Sequence, residues 1–146
     1  MTTRQEYKIF SDRYFEWAKK CHQKSASVPV EDYVTKIMHL AAAIQFLLVS
    51  DDLLINWFLY PMKFKSRSAR YSSFESERKI QRQLNGKPRS CVMKHPFKVL
   101  GIRNMLLYLS NESEETIKNF LDDLTLKKID KIFKEADYVR NILEKL

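Results

Sequence analysis

Two glycines in 146 residues leave this chain very few places to turn sharply. Average usage would supply roughly ten glycines and seven prolines at this length, and prolines number only 4. Turn-rich β-sandwiches need glycine where the backbone must adopt positive φ, and nucleotide folds need Gly-rich loops that let the backbone approach phosphate. Both classes are disfavoured, as are collagen-like and low-complexity chains. With 45% apolar and 30% charged residues the chain is globular rather than disordered. At 17.4 kDa it is long enough to bury a core without disulfides or metals.

The apolar residues recur with helical period. Tyr7, Phe10, Tyr14, Trp17 and Cys21 are spaced 3, 4, 3, 4 and predict one apolar stripe on a helix from about 4 to 24. Thr3 with Glu6 is a capping box at its start. After Ser25–Pro29 a second helix, about 30 to 49, is apolar nearly all round through Ile37, Leu40, Ala41, Ile44, Phe46, Leu47 and Leu48, which makes it the expected central helix. Ser50-Asp51-Asp52 reads as a fresh N-cap for a short helix ending before Pro61, with one continuous helix as the competing reading.

Farther on, Ser72 with Glu75 opens a polar helix that stops at Asn85-Gly86-Lys87-Pro88. Pro96 starts a helix carrying Phe97, Leu100, Met105, Leu106 and Leu109. Asn111 with Glu114 caps the next, which carries Ile117, Phe120, Leu121 and Leu124. Thr125 caps the last, whose Ile129, Ile132, Ala136, Val139, Leu143 and Leu146 follow a 3, 4, 3, 4, 3 spacing. The expected fold is all-α: a single-domain bundle of six or seven helices over 1–146, without internal repeats. The terminal seams are expected to pack inside one monomer; docking of a partner helix or of a second copy, giving a homodimer, is the alternative.

Charge is unevenly distributed. The formal net charge is +8. Residues 1–62 are neutral and residues 104–146 carry −2, whereas residues 63–103 hold 12 basic and 2 acidic side chains, net +10. Like charges held together repel, and an anionic partner offsets that cost. Phosphate backbones supply such a partner, with counterion release driving binding. The candidate contacts are Lys63, Lys65, Arg67, Arg70, Arg78, Lys79, Arg82, Lys87, Arg89 and Lys94, with Tyr71 placed among them to stack on an exposed base. Zinc-finger, RNA-recognition-motif and helix-turn-helix signatures are lacking. The leading reading is therefore a non-enzymatic nucleic-acid-binding accessory protein, for RNA or DNA. The second is an adaptor or inhibitor that docks an acidic protein surface through the basic face, or a partner through the terminal amphipathic helices.

A third reading comes from Arg89 and His95. Arg-x5-His in an all-helical domain of this size resembles the Arg-x4–6-His motif of HEPN ribonucleases. That resemblance implies RNA cleavage, with His95 as acid or base and Arg89 steadying charge at phosphorus, often in a site assembled across a dimer. The chain departs from the pattern in two ways. Pro88 and Pro96 flank the pair and predict a loop where the family has a helix, and a second echo beginning at Arg103-Asn104 has Tyr108 where the family's histidine would fall.

Other constellations are weaker. Cys21-His22 together with Cys91 and His95 would make four zinc-type ligands, but neither half has Cys-x-x-Cys spacing. Adjacent residues also point about 100° apart on a helix. His39, in the apolar second helix, reads as a core residue. Asp51/Asp52 and Asp122/Asp123 do not converge on one face, and the first pair reads as a helix start. No metal and no cofactor are expected. Two cysteines are too few for a secreted disulfide framework, and Met1-Thr2-Thr3-Arg4-Gln5-Glu6 lacks the apolar core of a signal peptide. The expected location is intracellular, cytoplasmic or nuclear. No membrane is expected either, because Asp51 and Asp52 split the stretch Leu40 to Met62 into apolar runs of 11 and 10 residues.

Overall fold

The capping box at Thr3 forms. Glu6 N–H donates to Thr3 Oγ1 at 3.1 Å and Thr3 N–H donates back to Glu6 Oε1 at 3.3 Å, so two backbone donors that the first turn leaves without helical partners are satisfied. In this computed structural model the described residues are 2–29, 31–58, 60, 104–109 and 111–145. Every regular element among them is an α-helix: α1 (Arg4–Ser27), α2 (Tyr33–Phe58), the segment 104–109, α3 (Glu114–Phe120) and α4 (Asp123–Lys145).

Five helical segments among the described residues do not match the expected six or seven. One reason is that α2 runs straight through Ser50-Asp51-Asp52. Ser50 does not cap anything; its hydroxyl donates to the Ser11 carbonyl of α1 at 2.8 Å. Asp51 and Asp52 are buried inside the helix and engaged there, not placed at a helix start. Tertiary contacts override the local turn preference of Ser and Asp. The polar helix expected from Ser72 lies outside the described residues, as does the start of the helix expected at Pro96. Where that helix is described, Leu106 and Leu109 are buried, while Met105, about 100° round the helix from Leu106, is exposed.

The remaining caps are offset by a few residues. Asp32 opens α2, accepting the Thr35 N–H on Oδ1 at 3.3 Å. Ser113, not Asn111, caps α3 and accepts the Thr116 N–H at 3.3 Å. Asp122, not Thr125, caps α4 and accepts the Thr125 N–H at 2.8 Å. Each shift keeps the same chemistry, a short oxygen-bearing side chain accepting from the first turn.

Helix α2 is the central element, as expected. Ile37, Leu40, Ile44, Leu47 and Leu48 are fully buried, joined in the core by Phe15 and Ala18 of α1, Leu106 and Leu109, Ile117 of α3, and Ile129, Ile132, Phe133 and Ala136 of α4. A second cluster, Leu54, Ile55, Val139 and Leu143, closes the far end of the α2–α4 contact. Each fully buried Leu or Ile contributes roughly 1.5–3 kcal/mol relative to exposure. At 26 residues, without a break at Asp51, α2 is also long and apolar enough to cross a membrane by length and composition; in this structure more than half of its most apolar stretch is buried in the bundle.

Helices α1 and α2 are antiparallel, with Ser11 against Ser50 at one level and Ser25 against Lys36 at another. Helix α4 is antiparallel to α1, tied by Lys8 to Glu144 at one end and His22 to Asp130 at the other. The terminal helices thus meet within one chain. The α4 seam is buried at Ile129, Ile132, Ala136, Val139 and Leu143, as its spacing predicts. The α1 stripe is not. Its buried face is Ser11, Phe15, Ala18 and Ser25, roughly 75° round the helix from the Tyr7–Cys21 stripe at 100° per residue. Phe10 and Trp17 are exposed, and Tyr7, Tyr14 and Cys21 are half-buried.

Candidate functional site

The basic segment 63–103, including Arg89 and His95, lies outside the described residues. What is described is the bundle on either side of it and the polar groups inside that bundle.

The most developed polar arrangement lies where α1, α2 and α4 cross. Ser11 and Ser50 are fully buried, and each hydroxyl donates to the other's backbone carbonyl, at 2.7 and 2.8 Å. Arg140, 5% exposed, reaches them from α4. Its Nη1 donates to Ser50 Oγ at 3.1 Å and its Nη2 to Ser11 Oγ, while Nη2 also reaches Asp12 Oδ1 at 3.0 Å. The guanidinium stacks over the Phe15 ring at 4.7 Å. Lys8 completes the group, donating to both Asp12 oxygens at 2.7 and 2.9 Å and to Glu144 Oε1 at 3.0 Å.

Chemically this is a clamp and not a catalytic centre. A nucleophilic serine needs a base to take its proton. Here both hydroxyl protons are committed to carbonyls and both hydroxyl oxygens accept from the Arg140 guanidinium, which has no lone pair to act as a base. Sequence reasoning missed this group, although two signals were present. Arg140 flanks the apolar seam of α4, four residues after Ala136 and three before Leu143, and the small residues Ser11, Ala18 and Ser25 recur every seven positions on α1.

At the end of α2 next to the basic segment, Arg4 Nε donates to the Trp57 carbonyl at 3.1 Å and its guanidinium lies 4.8 Å over the Trp57 ring. Lys8 sits 5.6 Å from the same ring, and Tyr7 meets Tyr60 edge-on at 6.4 Å. Positive charge at a helix C-terminus complements the helix dipole, so these two cations serve the fold. Lys36 does the same for α1, donating to the Ser25 carbonyl at 2.8 Å.

Of the four zinc-type ligands, His22 and Cys21 lie among the described residues and Cys91 and His95 do not. His22 Nε2 is bonded to Asp130 Oδ1 at 2.8 Å and its ring stacks on Phe133 at 4.3 Å. Cys21 is a half-buried free thiol and His39 is half-buried. Among the described residues no three His, Cys, Asp or Glu side chains gather as a metal site would need. Tyr108, at the position of the second ribonuclease echo, is 65% exposed. Its hydrogen bond to Glu112 and that carboxylate's charge raise the phenol above its usual value, so it stays protonated at neutral pH and is no general base. The chain matches no protein-family model, and no curated protein or solved structure is significantly similar to it.

Proposed function

We propose that this protein is a non-enzymatic nucleic-acid-binding accessory protein that holds the phosphate backbone through residues 63–103. One observation carries the reading: the excess positive charge of the chain lies in 41 consecutive residues, net +10, between regions of net 0 and −2. Concentrating like charge in this way costs stability, and phosphates offset the cost by releasing their counterions. An intracellular site of action, cytoplasmic or nuclear, accompanies the reading.

The test is the salt dependence of binding to a single-stranded oligonucleotide. Log affinity should fall linearly with log salt, by about 0.7 for each phosphate neutralised. Reversing Arg67, Arg70, Arg78 and Arg82 together to Glu should weaken binding and flatten the line. Unchanged binding in this variant would move the assignment to the adaptor reading, in which the basic face docks an acidic protein. Labelled RNA incubated with the parent should remain intact, with and without divalent metal. Cleavage that both Arg89→Ala and His95→Ala abolish would instead make the protein a HEPN-like ribonuclease.

A further inference from the structure

The outward face of α1 carries Phe10, Arg13, Trp17, Lys20 and Lys24 at spacings 3, 4, 3, 4, and all five side chains are exposed. At 100° per residue they fall within about 80° of one another, so they form a single stripe outside the buried Ser11–Ser25 face of α1, with Trp17 at its edge touching Phe46 of α2. Phe10 is 41% and Trp17 47% exposed. An indole half in water forgoes much of the burial gain that aromatic rings supply. Trp17 is not loose, however. It meets Tyr14 edge-on at 5.3 Å and Phe46 at 5.8 Å, and these contacts hold the ring while nearly half of it stays exposed.

The charge along the stripe has one sign. Arg13, Lys20 and Lys24 make no ion pair among the described residues; of the nearby acids, Glu16 is taken by Lys19 at 2.8 Å and Glu6, one turn before Phe10 on the same face, accepts from the Thr3 N–H in the capping box. A face that merely keeps a helix soluble mixes signs and forms i,i+4 pairs. Here two aromatic rings are interleaved with three cations instead. Along the axis, Arg13 to Lys20 and Lys20 to Lys24 are separated by about 10 and 6 Å, a length that an extended strand covers with a few nucleotides. Bases stack on rings whatever their sequence, while phosphates need only a positive track.

We infer that the α1 stripe is a second contact for single-stranded nucleic acid, with Trp17 stacking on an unpaired base and Arg13, Lys20 and Lys24 holding the flanking phosphates. This rests on the nucleic-acid reading above and adds to it the requirement for an unpaired base, since a ring cannot stack on a base that is already inside a duplex. It also gives the strand a path on the helical bundle itself.

The test uses the full chain carrying Trp57→Phe, which leaves Trp17 as the only one of the 2 tryptophans. Titration with a single-stranded oligopyrimidine should quench Trp17 emission, saturating together with binding followed by the anisotropy of a label on the oligonucleotide. A duplex of the same sequence should quench it far less. Arg13→Gln, Lys20→Gln and Lys24→Gln combined, all at exposed positions, should reduce the slope of log affinity against log salt by about 2, three phosphates at roughly 0.7 each. Trp17→Ala should weaken binding roughly tenfold or more. If the oligonucleotide binds while Trp17 emission stays constant and the triple variant keeps the parental slope, the stripe is overturned and the reading for 63–103 stands. If the parent does not bind even at low salt, both are overturned.

Discussion

Helix α4 turns large side chains into the core, Ile129, Ile132, Phe133, Val139 and Leu143, whereas α1 turns in Ser11, Ala18 and Ser25 with Phe15 as its single large buried group. The two helices run side by side against the same central α2, so the difference is one of how close each comes. Ser11 and Ser50 exchange hydroxyl-to-carbonyl bonds of 2.7 and 2.8 Å, which requires the α1 and α2 backbones to approach closely. Interhelical distance is set by the side chains at the contact, and a face of aromatic rings would hold the helices apart. The rings of α1 are consequently moved to the flank, where Tyr14 and Trp17 lean on Phe46. A helix packing on an already bulky, apolar neighbour can spend its small residues on contact and leave its large ones near water.

The largest test of this contrast is Phe15→Ala, which should cost about 3–5 kcal/mol in chemical denaturation through lost burial and a residual cavity. A cost below that of Trp17→Ala would mean that the aromatic stripe, and not the Ser-Phe-Ala face, is the packed one. Next comes Leu143→Ala on the α4 side, with an expected loss of about 2–5 kcal/mol; a near-parental midpoint would dissolve the contrast from the other end by showing that α4 is loosely held. Ala18→Leu puts a large residue at a fully buried small position on the packed face of α1 and should cost about 1–3 kcal/mol by overpacking. A neutral or stabilising result would show that the small residues are not needed for the approach. Trp17→Ala should be the mildest of the four, about 0.5–1.5 kcal/mol from its ring contacts with Tyr14 and Phe46.

These elements also show what could be read in advance. The Thr3–Glu6 box and the α4 seam were legible because local chemistry and tertiary packing agree there. The face of α1 was not, because periodicity marks every large apolar residue as a candidate for burial and says nothing about the shape of the neighbour. Ser50 was misleading for a related reason: its hydroxyl serves another helix at Ser11 and not its own backbone. Arg140 was not legible, because a charge beside a seam is recognisable as a clamp only once Ser11, Ser50 and Asp12 surround it. For the candidate interface, charge counting located a segment, and the α1 stripe emerged only when the structure showed Phe10 and Trp17 in solvent.

The central claim is that this chain binds nucleic acid through its positive surfaces, and retention on single-stranded nucleic acid tests it most directly. Protein stripped of bound material in high salt, then applied at low salt to an immobilised oligonucleotide, should be retained and should elute as the salt is raised, because each phosphate contact is a counterion exchange. Passage of the folded protein straight through at low salt would contradict the account.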